Sequence, residues 1–170
     1  MKVLVTGANG FIGKNLVLRM REQAGTEVLT YERDQDDAAL LEAVGQCDAV
    51  VHLAGENRPA DLQAFEDVNT GLTESVCQGL RELGKTIPLI LASSVQAELD
   101  NPYGRSKLAA EQVVQALAND LGNPVAIYRL PGVFGKWCKP NYNSAVATFC
   151  HNTIRGLPIQ VNDSATPVTL

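Results

Sequence analysis

Tyr103 and Lys107 stand four residues apart in Tyr103-Gly104-Arg105-Ser106-Lys107, the spacing that stacks two side chains on one helical face. A free phenol titrates near pH ~10, too high for efficient proton transfer at neutrality, and a neighbouring ammonium lowers that value by stabilising the phenolate. Such a pair can give a proton to a carbonyl oxygen while hydride reaches its carbon. The bland alternative is a surface helix pair. Position argues against it, because Leu91-Ala92-Ser93-Ser94 lies just upstream and brings a hydroxyl, Ser94, to the end of an apolar strand. Ligands of open α/β sheets bind at that edge.

A second cluster opens the chain: Thr6-Gly7-Ala8-Asn9-Gly10-Phe11-Ile12-Gly13, between a strand pattern and a helix pattern. Gly7 permits a tight turn, Gly10 lets a pyrophosphate approach the backbone, and Gly13 lets the helix pack closely on the strand. Helix amides and dipole then favour the phosphates; the alternative is a tight loop without a ligand. After the second strand come Glu32 and Arg33. An acid there suits the ribose 2′-hydroxyl of NAD and an Arg the 2′-phosphate of NADP. We read Arg33 as favouring NADP(H), with NAD(H) second; Glu32 is equally readable as a solvated charge.

The elements that must hold these groups alternate between strand and helix, which predicts an α/β fold with a doubly wound parallel sheet. The expected strands are Lys2–Thr6, Glu27–Tyr31, Asp48–Leu53, Ile87–Ala92 and Val125–Arg129, in the order 3-2-1-4-5. The expected helices are Phe11–Gln23, Asp36–Val44, a long one over Asp61–Leu83, another beginning at Asn101-Pro102 and ending at Gly122, and a last over Ala145–Arg155. Thr166–Leu170 reads as the start of a further strand, so the chain is expected to be an incomplete, C-terminally truncated Rossmann domain.

Composition agrees with one globular domain: 170 residues, 45% hydrophobic and 19% charged, with a net charge of −5 that favours neither nucleic acid nor anionic membranes. Cys47, Cys77, Cys138 and Cys150 lack paired spacing, so neither a disulfide framework nor a metal site is expected. With no secretion signal or membrane-length apolar run, the expected location is the cytoplasm. His52 reads as a satisfied core histidine and Trp137 as a packing residue; His151 has no visible partner.

The TGxxGxxG turn with YxxxK resembles the extended short-chain dehydrogenase/reductases, the NAD-dependent epimerase/dehydratase family. The resemblance implies a Rossmann NAD(P)-binding fold and a catalytic set of Ser94, Tyr103 and Lys107, with Lys107 also holding the nicotinamide ribose. It implies dinucleotide contacts from Gly7, Asn9, Gly10, Phe11, Ile12, Gly13, Arg33, from Leu53, Ala54 and Gly55 of the His52-Leu53-Ala54-Gly55 segment, and from Asn69, Leu130, Pro131 and Val133. The family usually has Asn where Gly132 stands.

Asn57-Arg58-Pro59, Asp100-Asn101-Pro102, Phe134–Ser144 and Gln160-Val161-Asn162-Asp163 are similar to a narrower group, the bacterial capsule and O-antigen reductases. Those enzymes reduce the 4-keto group of a UDP-2-acetamido-2,6-dideoxyhexose with NADPH, toward UDP-N-acetyl-L-fucosamine, and carry a zinc-binding cupin domain that has no counterpart in this sequence. The resemblance implies a UDP-sugar substrate, held by Ser94, Gln96, Lys136, Asn141, Tyr142 and Asn143, against the alternative of a polar loop capping the next helix. It also implies a homodimer through apolar faces of the helices at 61–83 and 101–121. Two rival functions stay open: an epimerase or dehydratase that retains NAD, and a dinucleotide-binding fragment without catalysis.

Overall fold

The computed structural model describes residues 1–59 and 61–161. Five parallel-type strands, β1 (Lys2–Thr6), β2 (Glu27–Tyr31), β3 (Ala49–His52), β4 (Leu89–Ser94) and β5 (Val125–Leu130), form one sheet in the order β2-β1-β3-β4-β5. The helices are α1 (Phe11–Arg21), α2 (Asp37–Gln46), a short α3 (Gln63–Phe65), α4 (Leu72–Glu82), α5 (Pro102–Leu121) and α6 (Ala145–Ile154). The order 3-2-1-4-5 is therefore corrected. The chain crosses back to the centre after its second strand, and β3 pairs with β1 from Val3↔Ala49 to Thr6↔His52. The reason is burial: Val50, Val51 and His52 are all buried, which demands a central position, whereas β2 exposes Glu27 and Thr30 and suits an edge.

Strand parity sorts the core into two clusters. Leu4, Val50, Leu89 and Leu91 pack with Leu40, Val44, Val76, Leu80, Val114 and Leu117 of α2, α4 and α5. Val3, Val5 and Val51, pointing the other way, pack with Val17 of α1. Helix ends follow the local chemistry. Asp36, Asn101 and Ser144 cap α2, α5 and α6 through their side chains, and Gly122 ends α5 in the left-handed region at φ 73°. The Lys85 ammonium covers the end of α2, donating to the carbonyls of Val44, Gly45 and Cys47 at 3.1, 2.8 and 2.6 Å.

The expected helix over Asp61–Leu83 is not uniform. Between α3 and α4 the backbone widens into a π-helical segment, Glu66–Gly71, which turns Asn69 into the interior. The outer faces of these helices are mixed: α4 exposes Glu74, Gln78 and Glu82, α5 exposes Arg105, Gln112 and Gln115 beside Leu108, and Leu62 and Leu83 are exposed near the two ends of the 61–83 stretch. The strand read at Thr166–Leu170, and Asn162 and Asp163, lie outside the described residues. A second compact unit begins at Leu130 and holds the loop and helix around α6.

One buried polar chain runs through the first unit. Ala54 N–H donates to Thr6 Oγ1 at 3.2 Å, and Thr6 Oγ1 lies 2.6 Å from His52 Nδ1. On the far side His52 Nε2 is 2.9 Å from Thr73 Oγ1, which donates to the Asn69 carbonyl at 2.7 Å. Thr73 has spent its only proton, so His52 must donate from Nε2 and accept at Nδ1. Burial, with the Lys107 charge adding to it, lowers the His52 pKa from 6.5 to about 3.

Two outcomes follow from this packing. A Cβ on Gly13 would lie 2.2 Å from the Gly7 carbonyl and 2.7 Å from Ala8 Cα, so Gly13→Ala should cost about 1–3 kcal/mol in urea unfolding. The unfolded chain protonates His52 below pH 6.5 while the folded one resists down to about 3, so its contribution to stability is complete above 6.5 and is lost as pH falls. Between pH ~7.5 and ~5 the parent should lose about 2 kcal/mol more than His52→Gln; equal losses would contradict the buried neutral ring.

Candidate active site

The register sets the site's floor. Thr6 is level with both Tyr31 and His52, so the glycine turn, the Glu32-Arg33 pair and the Leu53–Glu56 loop leave the sheet side by side. β4 runs three residues past Leu91, the partner of His52, and delivers Ser94. Gly7 turns at φ 68°, and α1 begins after Gly10 with neither a side-chain cap nor an acid in its first turn. Among the described helices α2, α5 and α6 close that end with a side chain; α1 leaves the amides of Phe11, Ile12 and Gly13 to another acceptor. Together with the close Gly13–Gly7 contact, this donor set fits a dinucleotide pyrophosphate. Glu32 Oε1 accepts from Asn9 N–H at 3.1 Å, and Arg33 Nη2 pairs with Glu56 Oε2 at 2.7 Å.

The reactive groups meet at the start of α5. Asn101 Oδ1 caps Gly104 N–H at 2.8 Å with Pro102 in the first turn, as the Asn-Pro pair requires. Gly104 lies against the segment that follows β4: an added Cβ would sit 2.2 Å from the Gln96 carbonyl and 2.4 Å from that of Leu99. Only glycine allows this approach, which brings Tyr103 to Ser94. The Ser94 hydroxyl acts on the Tyr103 phenol, favouring its charged form, and the Tyr103 ring rests on Phe65 with centroids 5.7 Å apart. Ser94 Oγ also accepts from Gln96 N–H at 3.2 Å, while the Gln96 side chain is exposed.

Lys107 is 5% exposed and donates to the Ala92 carbonyl at 2.7 Å. Burial lowers its pKa from 10.5 to about 8, against the opposing pull of Glu111. A Cβ on Gly55 would be 3.6 Å from Lys107 Nζ, so the loop after β3 adjoins the lysine. The expectation that Lys107 lowers the Tyr103 pKa is corrected for this state: burial raises it, and only the Ser94 hydrogen bond works the other way. At neutral pH Tyr103 therefore carries its proton, ready to give.

Asn69 is not open to solvent. Its Oδ1 accepts from Glu56 N–H at 2.8 Å, and its Nδ2 donates to the Glu56 carbonyl at 3.1 Å and Ser106 Oγ at 2.9 Å. It clips the loop after β3 to α5, and Ser106 Oγ passes a hydrogen bond on to the Tyr103 carbonyl at 2.8 Å.

Leu130, Pro131, Val133, Lys136, Asn141, Tyr142 and Asn143 belong to the second unit. Within it Trp137 and Asn141 adopt φ of 68° and 55°. Asn141 N–H donates to Thr148 Oγ1 at 2.8 Å, the Lys136 ammonium lies 4.4 Å from the Trp137 ring, and that of Lys139 lies 5.7 Å from the Tyr142 ring. Trp137 is thus a half-exposed cation–π partner, not a packing residue.

Three positions escaped the sequence reading. Phe65 gave no signal, since its contact with Tyr103 is tertiary. Gly104 sat inside a motif read only for its ends. Glu111 was within reach, because it follows Lys107 by four residues on the same helical face. It is buried and bound by Arg129, whose Nε and Nη2 reach its two oxygens at 2.9 and 2.7 Å. Among the described residues no group of His, Cys, Asp and Glu is arranged for a metal, and no helix is long and apolar enough to cross a membrane.

Comparison with known proteins agrees with this geometry. The NAD dependent epimerase/dehydratase family model matches residues 3–168. The chain is 53% identical, over its whole length and 46% of the relative's, to a UDP-2-acetamido-2,6-beta-L-arabino-hexul-4-ose reductase of Pseudomonas aeruginosa. The crystal structure of the capsular polysaccharide assembling protein CapF from Staphylococcus aureus superposes with a TM-score of 0.84 at 43% identity, covering 98% of this chain and 45% of CapF. A UDP-glucuronic acid 4-epimerase from Bacillus cereus, in complex with UDP-glucuronic acid and NAD, shares the fold at 20% identity with a TM-score of 0.83, covering 98% of this chain and 67% of its own. The chain spans less than half the length of the first two relatives. By the glycine turn, the Ser94–Tyr103–Lys107 grouping and the match across nearly all its residues, the chain belongs to the NAD-dependent epimerase/dehydratase family.

Proposed function

We propose that residues 1–170 are the dinucleotide-binding, reductase-bearing part of an enzyme that reduces the 4-keto group of a UDP-2-acetamido-2,6-dideoxyhexose during capsule or O-antigen sugar synthesis. The observation that carries the reading is Tyr103, held protonated by burial near Ser94, one helical turn before a buried lysine. The 53% identity to a reductase of that substrate class supports the choice of sugar. A nicotinamide, when bound, supplies the hydride that the carbonyl carbon receives. Ser94 holds the carbonyl oxygen, Tyr103 gives it a proton, and Lys107 as an ammonium stabilises the phenolate left behind. Leu53, Ala54 and Gly55 line the same edge, and Gln96 with Lys136, Asn141, Tyr142 and Asn143 are assigned to the sugar nucleotide.

The cofactor in this reading is NADP(H), on account of Arg33, whose side chain is largely exposed. The placement of Glu32 on the glycine turn favours NAD(H) as the second choice. An epimerase or dehydratase with retained NAD is the rival activity. A homodimer through the helices at 61–83 and 101–121, in the cytoplasm, completes the proposal.

The test is turnover of the keto-sugar followed by consumption of NADPH or NADH, with each cofactor also titrated alone. Tyr103→Phe should slow the reaction by at least about 100-fold and leave the cofactor Kd within about twofold. Unchanged turnover would sink the mechanism. Oxidised cofactor copurifying with the protein, with no net consumption, would favour the rival.

A further inference from the structure

Glu111 sits where three elements meet, one turn beyond Lys107 and two beyond Tyr103 on α5. Ser93 Oγ, next to Ser94 on β4, donates to its Oε1 at 2.5 Å. Arg129 on β5 grips both oxygens, and its Nη1 reaches out to Glu98 at 2.9 Å. Glu111 is 7% exposed, yet the contacts of its carboxylate favour the charged form. Burial pushes its pKa up, but the Arg129 and Ser93 hydrogen bonds and the charges of Arg129 and Lys107 outweigh this and hold it below the usual range. A carboxylate kept ionised beside a buried lysine must favour the ammonium.

We propose that Glu111 is a positioning residue for the carbonyl chemistry: it ties the strand end bearing Ser94 to the catalytic helix, and its charge keeps Lys107 protonated. The inference of an effect on turnover rests on the reductase reading; the hold on Lys107 does not. The other groups about Lys107 do not replace this charge. β3 presents His52, which is neutral; β4 presents the Ala92 carbonyl; the loop after β3 presents the backbone at Gly55; the π segment presents the Asn69 amide. On its own helix Tyr103 is a neutral phenol, while Glu66 and Asp67 of the π segment and Glu98 after β4 are exposed. Glu111 is the buried anion of this neighbourhood among the described residues.

The experiment follows lysine side-chain carbon resonances of the isotope-labelled, ligand-free chain against pH, with Lys107 assigned through Lys107→Arg. Lys107 in the parent should titrate near 8. In Glu111→Gln, which keeps the shape and removes the charge, its proton affinity should fall about tenfold, moving the midpoint down by about one unit. Ser93→Ala, which keeps the charge, should leave the midpoint within a few tenths of a unit. An unshifted Lys107 in a folded Glu111→Gln would overturn the proposal. Should that variant not fold, coupling is reciprocal, and Lys107→Met should raise the Glu111 carboxyl midpoint by a similar amount; no rise overturns it equally. Where turnover is measured, the alkaline limb of the pH profile should move down with Lys107 in Glu111→Gln, whereas a structural defect would lower the rate at all pH values alike. Titrations that behave as described in a chain that reduces no keto-sugar support the hold on Lys107 and count against the reductase reading alone.

Discussion

A run of hydrogen bonds with one consistent direction links Ala54 to Asn69, and the site depends on that order. The amide of Ala54, the hydroxyls of Thr6 and Thr73 and the ring of His52 form one directed chain ending at the Asn69 carbonyl. The Asn69 side chain then grips Glu56 and Ser106, so the first strand, the loop after β3, the π segment and α5 are joined through buried and part-buried hydrogen bonds. A buried polar group left unpaired costs about 1–3 kcal/mol, so no link can turn round without penalty to its neighbours. Direction matters as much as connection: because Thr73 spends its proton on Asn69, His52 is confined to one tautomer, and the site has no base there.

The same enclosure explains the electrostatics. Lys107 and Tyr103 lie in a poorly solvated corner where each charged form is penalised, which lowers the lysine, raises the tyrosine and so drives the two pKa values apart. A phenol that keeps its proton and an ammonium held near its titration point suit proton donation followed by stabilisation of the phenolate. The buried Glu111 supplies negative charge from behind the lysine, on the side away from Tyr103 along the helix, so it supports Lys107 without competing for the phenol's proton. Its own ionised state is secured by Arg129, making β5 a contributor to a site it does not face directly.

Much of this was legible in the residues alone. The Asn101-Pro102 start and Gly122 stop of α5, the strand–turn–helix at Gly7–Gly13 and the apolar strands all rest on local rules of capping, backbone freedom and burial, which act within a few residues. The pairing of Tyr103 with Lys107 follows from helical spacing. Strand order was not legible, because a crossover to either side of β1 satisfies the same local pattern; only the full burial of β3 against an exposed β2 edge selects one.

The Ser94–Tyr103–Lys107 grouping shows the division most plainly. Sequence by itself determined that Tyr103 and Lys107 share a face, since helix geometry fixes neighbours four apart. Tertiary structure decided the rest: the contact of Gly104 with the carbonyls after β4, the Phe65 ring beneath Tyr103, the π turn that buries Asn69, and a tyrosine whose pKa is raised, not lowered. Desolvation is the reason. It depends on everything that surrounds a group, and residues far apart in the chain provide most of those surroundings.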